Sequence, residues 1–587
     1  MPAVVVAITV FALFALGYIY YSRYLAEKVY ALDPAFVTPA HELADGIDYV
    51  PTNKHVLFGH HFTSIAGAAP IVGPAIAVFW GWVPALLWIV IGTIFAAGVH
   101  DFGALAVSVR HKARNIGSLT ADVISPRSRI LFLCIIFFLL TLVNAVFAVV
   151  IGNLFVAFPG AVIPIFVEIP LAIAIGQYIY RTKSPALVPS IVGVIALYFL
   201  IWVGHHNPIE LTALADALGM APRDVWIVIM FVYTFIASRL PVWLLLQPRD
   251  YINSHQLFIA LGVTFIGVLV GMDRIVAPAF RGDLPEGSPN IFPFLFITIA
   301  CGAISGFHSL VSSGTTSKQL DKETDARHVG YVGALGEGSL AMASVLAVSA
   351  GVAATRVEWD ALYPTYGDAS AGATSNFVNG IAQFASNLGV EFTLATVFAA
   401  VVVVSFAATT MDTGVRLQRY IVQEIATILN WKRLSRSLTA AGLIAVAVPL
   451  LLALMPGSDD RGFAFGTLWR LFGTTNQLTA GLALAVVAVW VTKRMRNPIA
   501  ILAPMVFLLV MTTWALIIQL GEFWDAPERW VLVPLDLVIL VLALWLIVEA
   551  GIALRRSLAD RRTGPRADAG EGDAMDTTRP SARDDQG

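Results

Sequence analysis

Ionisable side chains lie inside long apolar stretches of the 587-residue chain, and three of them are candidates for carrying a proton. They are His61, Asp101 and His308, and an unpaired charge in such a stretch is costly inside a membrane. Histidine titrates near neutral pH, and a buried carboxylate can also take up a proton. We therefore predict that these three residues are sites of proton coupling.

A second candidate site consists of oxygen-bearing side chains in the segment S-F-A-A-T-T-M-D-T-G-V-R-L-Q-R-Y at 405–420. Thr409, Thr410 and Asp412 fall within about one helical turn, and oxygen ligands suit hard cations such as sodium. Hydroxyl groups in membrane helices also bond to their own backbone carbonyls, which is the structural alternative. The residues therefore leave proton and sodium coupling both open.

Two apolar segments that would otherwise span a membrane are interrupted by glycine and proline. In the first, at 59–82, we predict helix breaks at Pro70, Gly73 and Pro74. In the second, at 298–317, we predict a break at Gly302. Lipid cannot satisfy the freed backbone groups, and in transporters broken helices of this kind form the substrate site. Small residues that only let two helices pack closely are the alternative.

Half-helix ends expose backbone amides that carry partial positive charge and suit anionic groups. This places the predicted substrate contacts at the two interruptions. The residues are Ser64, Ala66, Gly67, Ser305 and Gly306.

Composition indicates a polytopic membrane protein, with 58% hydrophobic and 13% charged residues. A net charge of −2 and the lack of a basic, aromatic-rich patch do not favour nucleic-acid binding. Neighbouring His60 and His61 point about 100° apart on a helix, so they do not favour a shared metal ion. No nucleophile with a positioned base is visible, so we expect no catalytic residues and no cofactor. We therefore do not expect the protein to be an enzyme.

About fifteen apolar segments have the roughly 20-residue length of a membrane span. Lysine and arginine are concentrated in alternate connections, above all in 110–129, and Arg249 is counted in another of them. The positive-inside rule then places the N-terminus outside and the C-terminus in the cytoplasm.

The predicted all-α transporter domain covers 1–555, followed by a disordered cytoplasmic tail at 556–587. The two broken spans run in opposite directions, which predicts inverted repeats at about 59–204 and 291–491. Helices at 224–272 would be inserted between the repeats, and three further helices would be peripheral, at 2–22, 499–520 and 531–553.

Four motifs then identify a resemblance: G-H-H-F-T-S-I-A-G-A-A-P-I-V-G-P-A at 59–75, G-V-H-D-F at 98–102, S-G-F-H-S-L-V-S-S-G-T-T-S-K-Q-L at 305–320 and F-A-A-T-T-M-D-T-G-V-R-L-Q-R-Y at 406–420. The chain resembles the carbon starvation protein A family over roughly residues 15 to 530. The family is described as inner-membrane transporters of peptides and, in close relatives, of pyruvate with protons, induced when carbon runs low. It is grouped with the amino acid, polyamine and organocation superfamily.

The resemblance implies the five-plus-five inverted-repeat, leucine-transporter-like fold, with the first and sixth core helices unwound around the substrate and the eighth able to help hold sodium. We therefore expect a secondary active transporter in the cytoplasmic membrane that imports short peptides or small carboxylates such as pyruvate, with H⁺ as the coupling ion. Sodium coupling of the same substrates and a nutrient sensor that binds without transport are the alternatives. Small molecules and membrane lipid are the expected partners, and the sequence does not fix an oligomeric state.

Overall fold

The described part of the chain is helical and contains no β-strand. In this computed structural model it comprises residues 1–46, 48–182, 184–455, 465–526 and 529–563. Eleven helices in these ranges are long and apolar enough to cross a membrane, and up to 13 crossings result if each of two bent pairs is one span. The prediction of a polytopic α-helical membrane protein is therefore confirmed.

The helices are numbered here in chain order, and shorter helices lie in the connections. The numbered helices are α1 (Ala3–Val29), α2 (Lys54–Ile65), α3 (Ala69–Trp80), α4 (Trp82–Arg110), α5 (Pro126–Ala157), α6 (Pro159–Thr182), α7 (Leu187–His206), α8 (Pro222–Ala237), α9 (Leu246–Gly271), α10 (Ile291–Thr298), α11 (Gly306–Gly314), α12 (Glu323–Gly351), α13 (Tyr366–Ser386), α14 (Phe392–Ile428), α15 (Leu438–Ala453), α16 (Phe465–Lys493), α17 (Ile499–Trp524) and α18 (Arg529–Thr563).

The sequence predicts about fifteen spans, two more than the 13 crossings that the described residues supply when each bent pair is one span, and two segments account for the difference. The segment predicted as a span at 291–312 is divided into α10 and α11, each less than half the length of a crossing helix. The segment predicted at 437–455 is α15, whose 16 residues rise only about 24 Å. Both segments are apolar, so hydropathy alone does not distinguish them from complete spans.

The first broken helix consists of α2 and α3, which are bent by 53° relative to each other. The chain leaves the helix at Ala66, with φ −80° and ψ 67°, and Ala69 starts α3. Of the predicted break residues, Pro70 lies in the first turn of α3, where its missing N–H costs nothing.

Gly73 and Pro74 lie inside α3, so the prediction of breaks at these two positions is wrong. Pro74 removes one backbone donor without ending the helix. Gly73 is required by packing, because a Cβ there would collide with the carbonyl oxygen of Thr298 on α10.

The second broken helix is unwound between α10 and α11, and Gly302 lies in this segment with φ +93°. Side chains of neighbouring helices replace the lost helical hydrogen bonds, as the lack of water in a bilayer requires. Thr93 of α4 donates to the carbonyl of Gly302 at 3.1 Å, and the side-chain oxygen of Asn476 on α16 accepts from the amide of Phe307 at 3.1 Å. Both sequence-predicted interruptions are therefore real breaks.

The core is built around α5 and α14, which pack along one another and share a buried hydrogen bond from Asn144 to Gln418 at 2.8 Å. Among the long helices that support the broken helices, α9 packs on α2 and α16 packs on α11. The hairpin of α6 and α7 packs outside α9, just as α17 and α18 pack outside α16. The repeat boundaries stay a prediction, but this packing favours α6 and α7, rather than α8 and α9, as the inserted pair.

The last helix, α18, continues to Thr563, past the predicted start of the tail at 556. Residues 564–587, which make up the rest of the predicted tail, lie outside the described residues.

Candidate functional site

The first break brings α2 into contact with α5 and α14. A Cβ at Gly67 would lie 2.8 Å from the hydroxyl oxygen of Thr410 and 3.0 Å from the ring of Phe147, so only glycine fits without displacing them. Ala66 is fully buried. Ser64 donates its hydroxyl to the carbonyl of His60 at 2.8 Å, within its own helix. The predicted substrate residues of the first break therefore lie at the centre of the helix bundle.

The second break faces α16. The hydroxyl of Ser305 lies 3.2 Å from the side-chain oxygen of Asn476, and a Cβ at Gly306 would collide with the Asn476 backbone. The side chain of Asn476 also contacts Cys301. Ser305 and Gly306 are thus engaged in packing the break against α16, and Asn476 is a residue of this site that the site prediction did not include.

Four buried ionisable side chains form what we call the His308 cluster, which comprises Glu337, His308, Asp101 and His100. His308 on α11 lies between two carboxylates, with Nδ1 2.9 Å from Asp101 Oδ2 and Nε2 3.2 Å from Glu337 Oε1. Asp101 Oδ1 is 2.7 Å from Nδ1 of His100. The cluster joins α4, α11 and α12 beside the unwound segment of the second broken helix.

The structure brings two of the three predicted proton-coupling residues, Asp101 and His308, into direct contact. His61 lies next to this cluster and interacts electrostatically with both residues. Its Nδ1 is 2.9 Å from the hydroxyl of Thr316, and within the described residues its Nε2 has no hydrogen-bond partner. His100 and Glu337 are not among the predicted proton-coupling residues. They carry the same sequence signal as those residues, which is an ionisable group in an apolar span.

A second buried group, the Arg249 cluster, comprises Arg249, Asp412, Tyr233 and Glu168. Nη1 of Arg249 on α9 donates to Asp412 Oδ2 on α14 at 2.8 Å, and the Tyr233 hydroxyl donates to the same oxygen at 2.6 Å. Nε of Arg249 lies 3.6 Å from Glu168 Oε1 on α6. This cluster holds the hairpin of α6 and α7 against the core.

Arg249 contradicts its assignment to a basic connection, because it lies inside α9 and is fully buried. No sequence signal marks Arg249 as buried, since this residue follows Gln247 and Pro248 and resembles the polar end of a span. Its two carboxylate partners come from helices far apart in the chain.

The predicted alternative cation site is only partly assembled. Thr409 accepts from the side chain of Asn253 at 2.8 Å and donates to the carbonyl of Ser405 at 2.8 Å. Asp412 is engaged by Arg249 and Tyr233. The hydroxyl of Thr410 faces the first break and has no hydrogen-bond partner in the part of the chain that the structure describes.

A cavity of about 550 Å³ opens on the side of the membrane where α2 begins. It lies between α2, α5, α9, α11 and α14, and the lining includes His60, Gln247, Leu310, Thr413 and Arg416. His60 is paired across its wall with Asp250 at 3.2 Å. A volume of this size is in the range of small-molecule sites.

The opposite side of the two breaks is closed by aromatic side chains. Tyr366, at the start of α13, packs on Phe79 and Trp80 of α3 with ring centroids 5.7 and 5.4 Å apart. Its hydroxyl lies 3.2 Å from that of Thr298 on α10. The structure therefore has one open side and one closed side, with both broken helices between them.

Comparison with known proteins gives a consistent result. The profile of the family described as Carbon starvation protein CstA matches residues 2–357 and 349–515. The peptide transporter CstA of Campylobacter jejuni is 34% identical over 88% of this chain and 80% of its own length. The pyruvate/proton symporter BtsT of Escherichia coli is 32% identical over 87% of this chain and 80% of its own length.

Solved structures match with lower similarity. A manganese transporter from Eremococcus coleocola has a TM-score of 0.43 and 14% identity, covering 89% of this chain and 99% of that one. MhsT in complex with L-phenylalanine has a TM-score of 0.43 and 12% identity, covering 85% and 99%. The family profile and the sequence relatives decide the assignment: the chain belongs to the carbon starvation protein CstA family and is an integral membrane transporter, not an enzyme.

Proposed function

We propose that the protein is a proton-coupled symporter that imports short peptides or small carboxylates such as pyruvate across the cytoplasmic membrane. The observation that carries this proposal is the contact between His308 and Asp101, which joins the second broken helix to α4. Buried carboxyl and imidazole groups that meet beside a break can take up a proton together, so this cluster can respond to a proton.

The cavity and the closed opposite side support transport by alternating access. In the orientation expected from the basic connections, with the N-terminus outside and the C-terminus inside, the cavity opens to the cytoplasm. The wall carries cations and carboxylates, and Arg114 and Lys318 are paired with Asp122 and Asp48. Arg416 is the cationic group of the wall that suits a substrate carboxylate. Small carboxylates and peptide C-termini share this group.

Sodium coupling is the second candidate, and the hydroxyl of Thr410 beside Gly67 favours it. The Asp412 carboxylate argues against sodium coupling, because it already accepts hydrogen bonds from Arg249 and Tyr233. The cationic side chain of Arg249 therefore occupies the carboxylate that a sodium ion would need. Proton coupling therefore has the stronger support.

The test is uptake of labelled pyruvate and of a labelled dipeptide into proteoliposomes that contain the purified protein. A pH gradient and a sodium gradient are imposed separately, and liposomes without protein are the control. Accumulation driven by the pH gradient is expected. Accumulation only under the sodium gradient would show that sodium, and not H⁺, is the coupling ion. Binding of a solute without accumulation under either gradient would favour a nutrient sensor.

A further inference from the structure

Within the His308 cluster, the two carboxylates are bonded very differently. Asp101 has a histidine nitrogen within 2.9 Å of each oxygen, Nδ1 of His100 on one and Nδ1 of His308 on the other. Neither oxygen of Glu337 completes a hydrogen bond with any described residue, although Nε2 of His308 lies 3.2 Å away. A buried carboxylate is costly to keep ionised unless it is well bonded, so Glu337 is the better proton acceptor of the two.

Glu337 lies beside the unwound segment of the second broken helix. Ala341, one turn further along α12, packs so closely on Gly302 that a Cβ at 302 would lie 2.6 Å from the Cβ of Ala341. His308, whose Nε2 is 3.2 Å from Glu337, lies in the first turn of α11, directly after this segment. Glu337 is therefore placed where α12 meets the second broken helix.

The other ionisable groups around Glu337 come from three helices and from the unwound segment. His308 on α11 and Asp101 on α4 interact with it directly, and His61 on α2 interacts with both of these residues. Cys301, in the unwound segment, also interacts with Glu337. With His308 charged and both carboxylates ionised, His308 balances only one of two negative charges, and one added proton on Glu337 makes this trio neutral.

We propose that Glu337, beside the unwound segment of the second broken helix, carries the coupled proton. One proton adds to one carboxylate oxygen of Glu337 and removes the negative charge that His308 leaves unbalanced. A substrate anion that binds at the second break then balances the charge of the added proton. The proton binds first and the substrate second, and both are released on the cytoplasmic side. This inference rests on the proposed function and names the residue that carries its coupled proton.

A spectroscopic measurement tests the proton site without any substrate. Infrared difference spectra of the purified full-length protein are recorded between alkaline and acidic pH for the wild type, Glu337→Gln and Asp101→Asn. A carboxylic-acid C=O band that appears on acidification is expected in the wild type and in Asp101→Asn and is expected to be lost in Glu337→Gln. Retention of the band in Glu337→Gln, or its loss only in Asp101→Asn, would overturn the proposal.

The matched control is Asp536→Asn. Asp536 is also buried in a membrane helix, α18, and has no hydrogen-bond partner among the described residues, but it lies far along the chain in a peripheral helix. This variant is expected to keep the band that Glu337→Gln loses, and to keep accumulation driven by a pH gradient.

Transport measurements test the coupling role. In proteoliposomes, Glu337→Gln is expected to lose accumulation of pyruvate or dipeptide under a pH gradient while it still exchanges internal for external solute, because glutamine mimics the protonated side chain. Accumulation equal to that of the wild type would overturn the proposal, and so would loss of exchange in a variant whose melting temperature is unchanged. If wild-type protein moves neither solute while the infrared band still depends on Glu337, the proposed function fails and the proton site stands.

Discussion

The two buried charge clusters are built around different cations. His308 lies between Asp101 and Glu337 in one, and Arg249 lies between Asp412 and Glu168 in the other. Arginine keeps its charge at every physiological pH, whereas a buried histidine and a buried carboxylate without hydrogen bonds can together take up or release a proton. Similar burial therefore gives one permanent ion pair and one that can respond to protons.

Their positions in the fold match this difference. The Arg249 cluster ties the peripheral hairpin to α9 and α14, and the His308 cluster touches the unwound segment of α10 and α11. We infer that the Arg249 cluster holds the scaffold and that the His308 cluster works in transport. The following variants test this division.

The largest effect is expected for Arg249→Met, which leaves Asp412 and Glu168 buried without their cation. Breaking a buried pair in this way costs about 3–5 kcal/mol. Thermal unfolding in detergent and the yield of folded protein measure the loss. Arg249→Lys keeps the charge but not the forked geometry of the guanidinium group. Its melting temperature is expected to lie between those of Arg249→Met and the wild type. Full stability of Arg249→Met would show that this cluster is not structural.

Matched carboxylate variants compare the two clusters directly. Asp101→Asn removes the charge that holds His308, so it is expected to abolish accumulation driven by a pH gradient. Asp412→Asn keeps a polar partner for Tyr233 and is expected to preserve the dependence of uptake on external pH. The measurement is initial uptake across a range of external pH values. If Asp412→Asn changes the pH profile and Asp101→Asn does not, the roles assigned to the clusters are reversed.

A moderate effect is expected at the contact between the two broken helices. Gly73→Ala would force α3 away from the carbonyl of Thr298, and overpacking of this kind costs about 1–3 kcal/mol. Gly262→Ala on α9 is the control, because a Cβ there meets no atom within 4 Å. Melting temperatures compare the two variants. Equal stabilities would mean that α3 and α10 can separate freely and that the breaks do not depend on this packing.

The smallest effect is expected for Thr410→Val. The Thr410 hydroxyl has no partner among the described residues, so its removal should change stability by less than about 1 kcal/mol. Uptake driven by a pH gradient should be retained in proteoliposomes. Loss of a sodium-driven component in this variant alone would instead restore Thr410 to a cation site, with Thr413→Val as the neighbouring control.

Much of the fold follows from hydropathy and from two interrupted segments. The apolar segments at 84–108 and 130–152 correspond to α4 and α5, because 20 apolar residues in lipid have few alternatives to a helix. The exact break is less predictable, since Pro74 stays inside α3 while Ala66, with no special sequence signal, leaves the helix. Contact with Thr298 and Thr410, not local preference, decides which residues bend.

The candidate site was predictable only in part. Asp101 and His308 stand out because charges in apolar spans are costly, and the structure joins them. Arg249 does not stand out, because it lies in a polar stretch that resembles the end of a span, and Asn476 stands out only as one of several polar residues at 473–478 that could line the cavity. Their roles depend on partners more than 150 residues away along the chain, at Asp412 and Ser305.

The sequence by itself determined that this chain is a multi-span helical transporter of the CstA family with two broken helices, because composition, span length and motif identity are local properties. Only the tertiary structure decided which charges meet. It placed His308 between two carboxylates and Arg249 between two others, because a buried charge is stable only beside a partner and the partners come from different helices. The division between a proton-responsive and a permanent cluster is therefore a property of the folded chain.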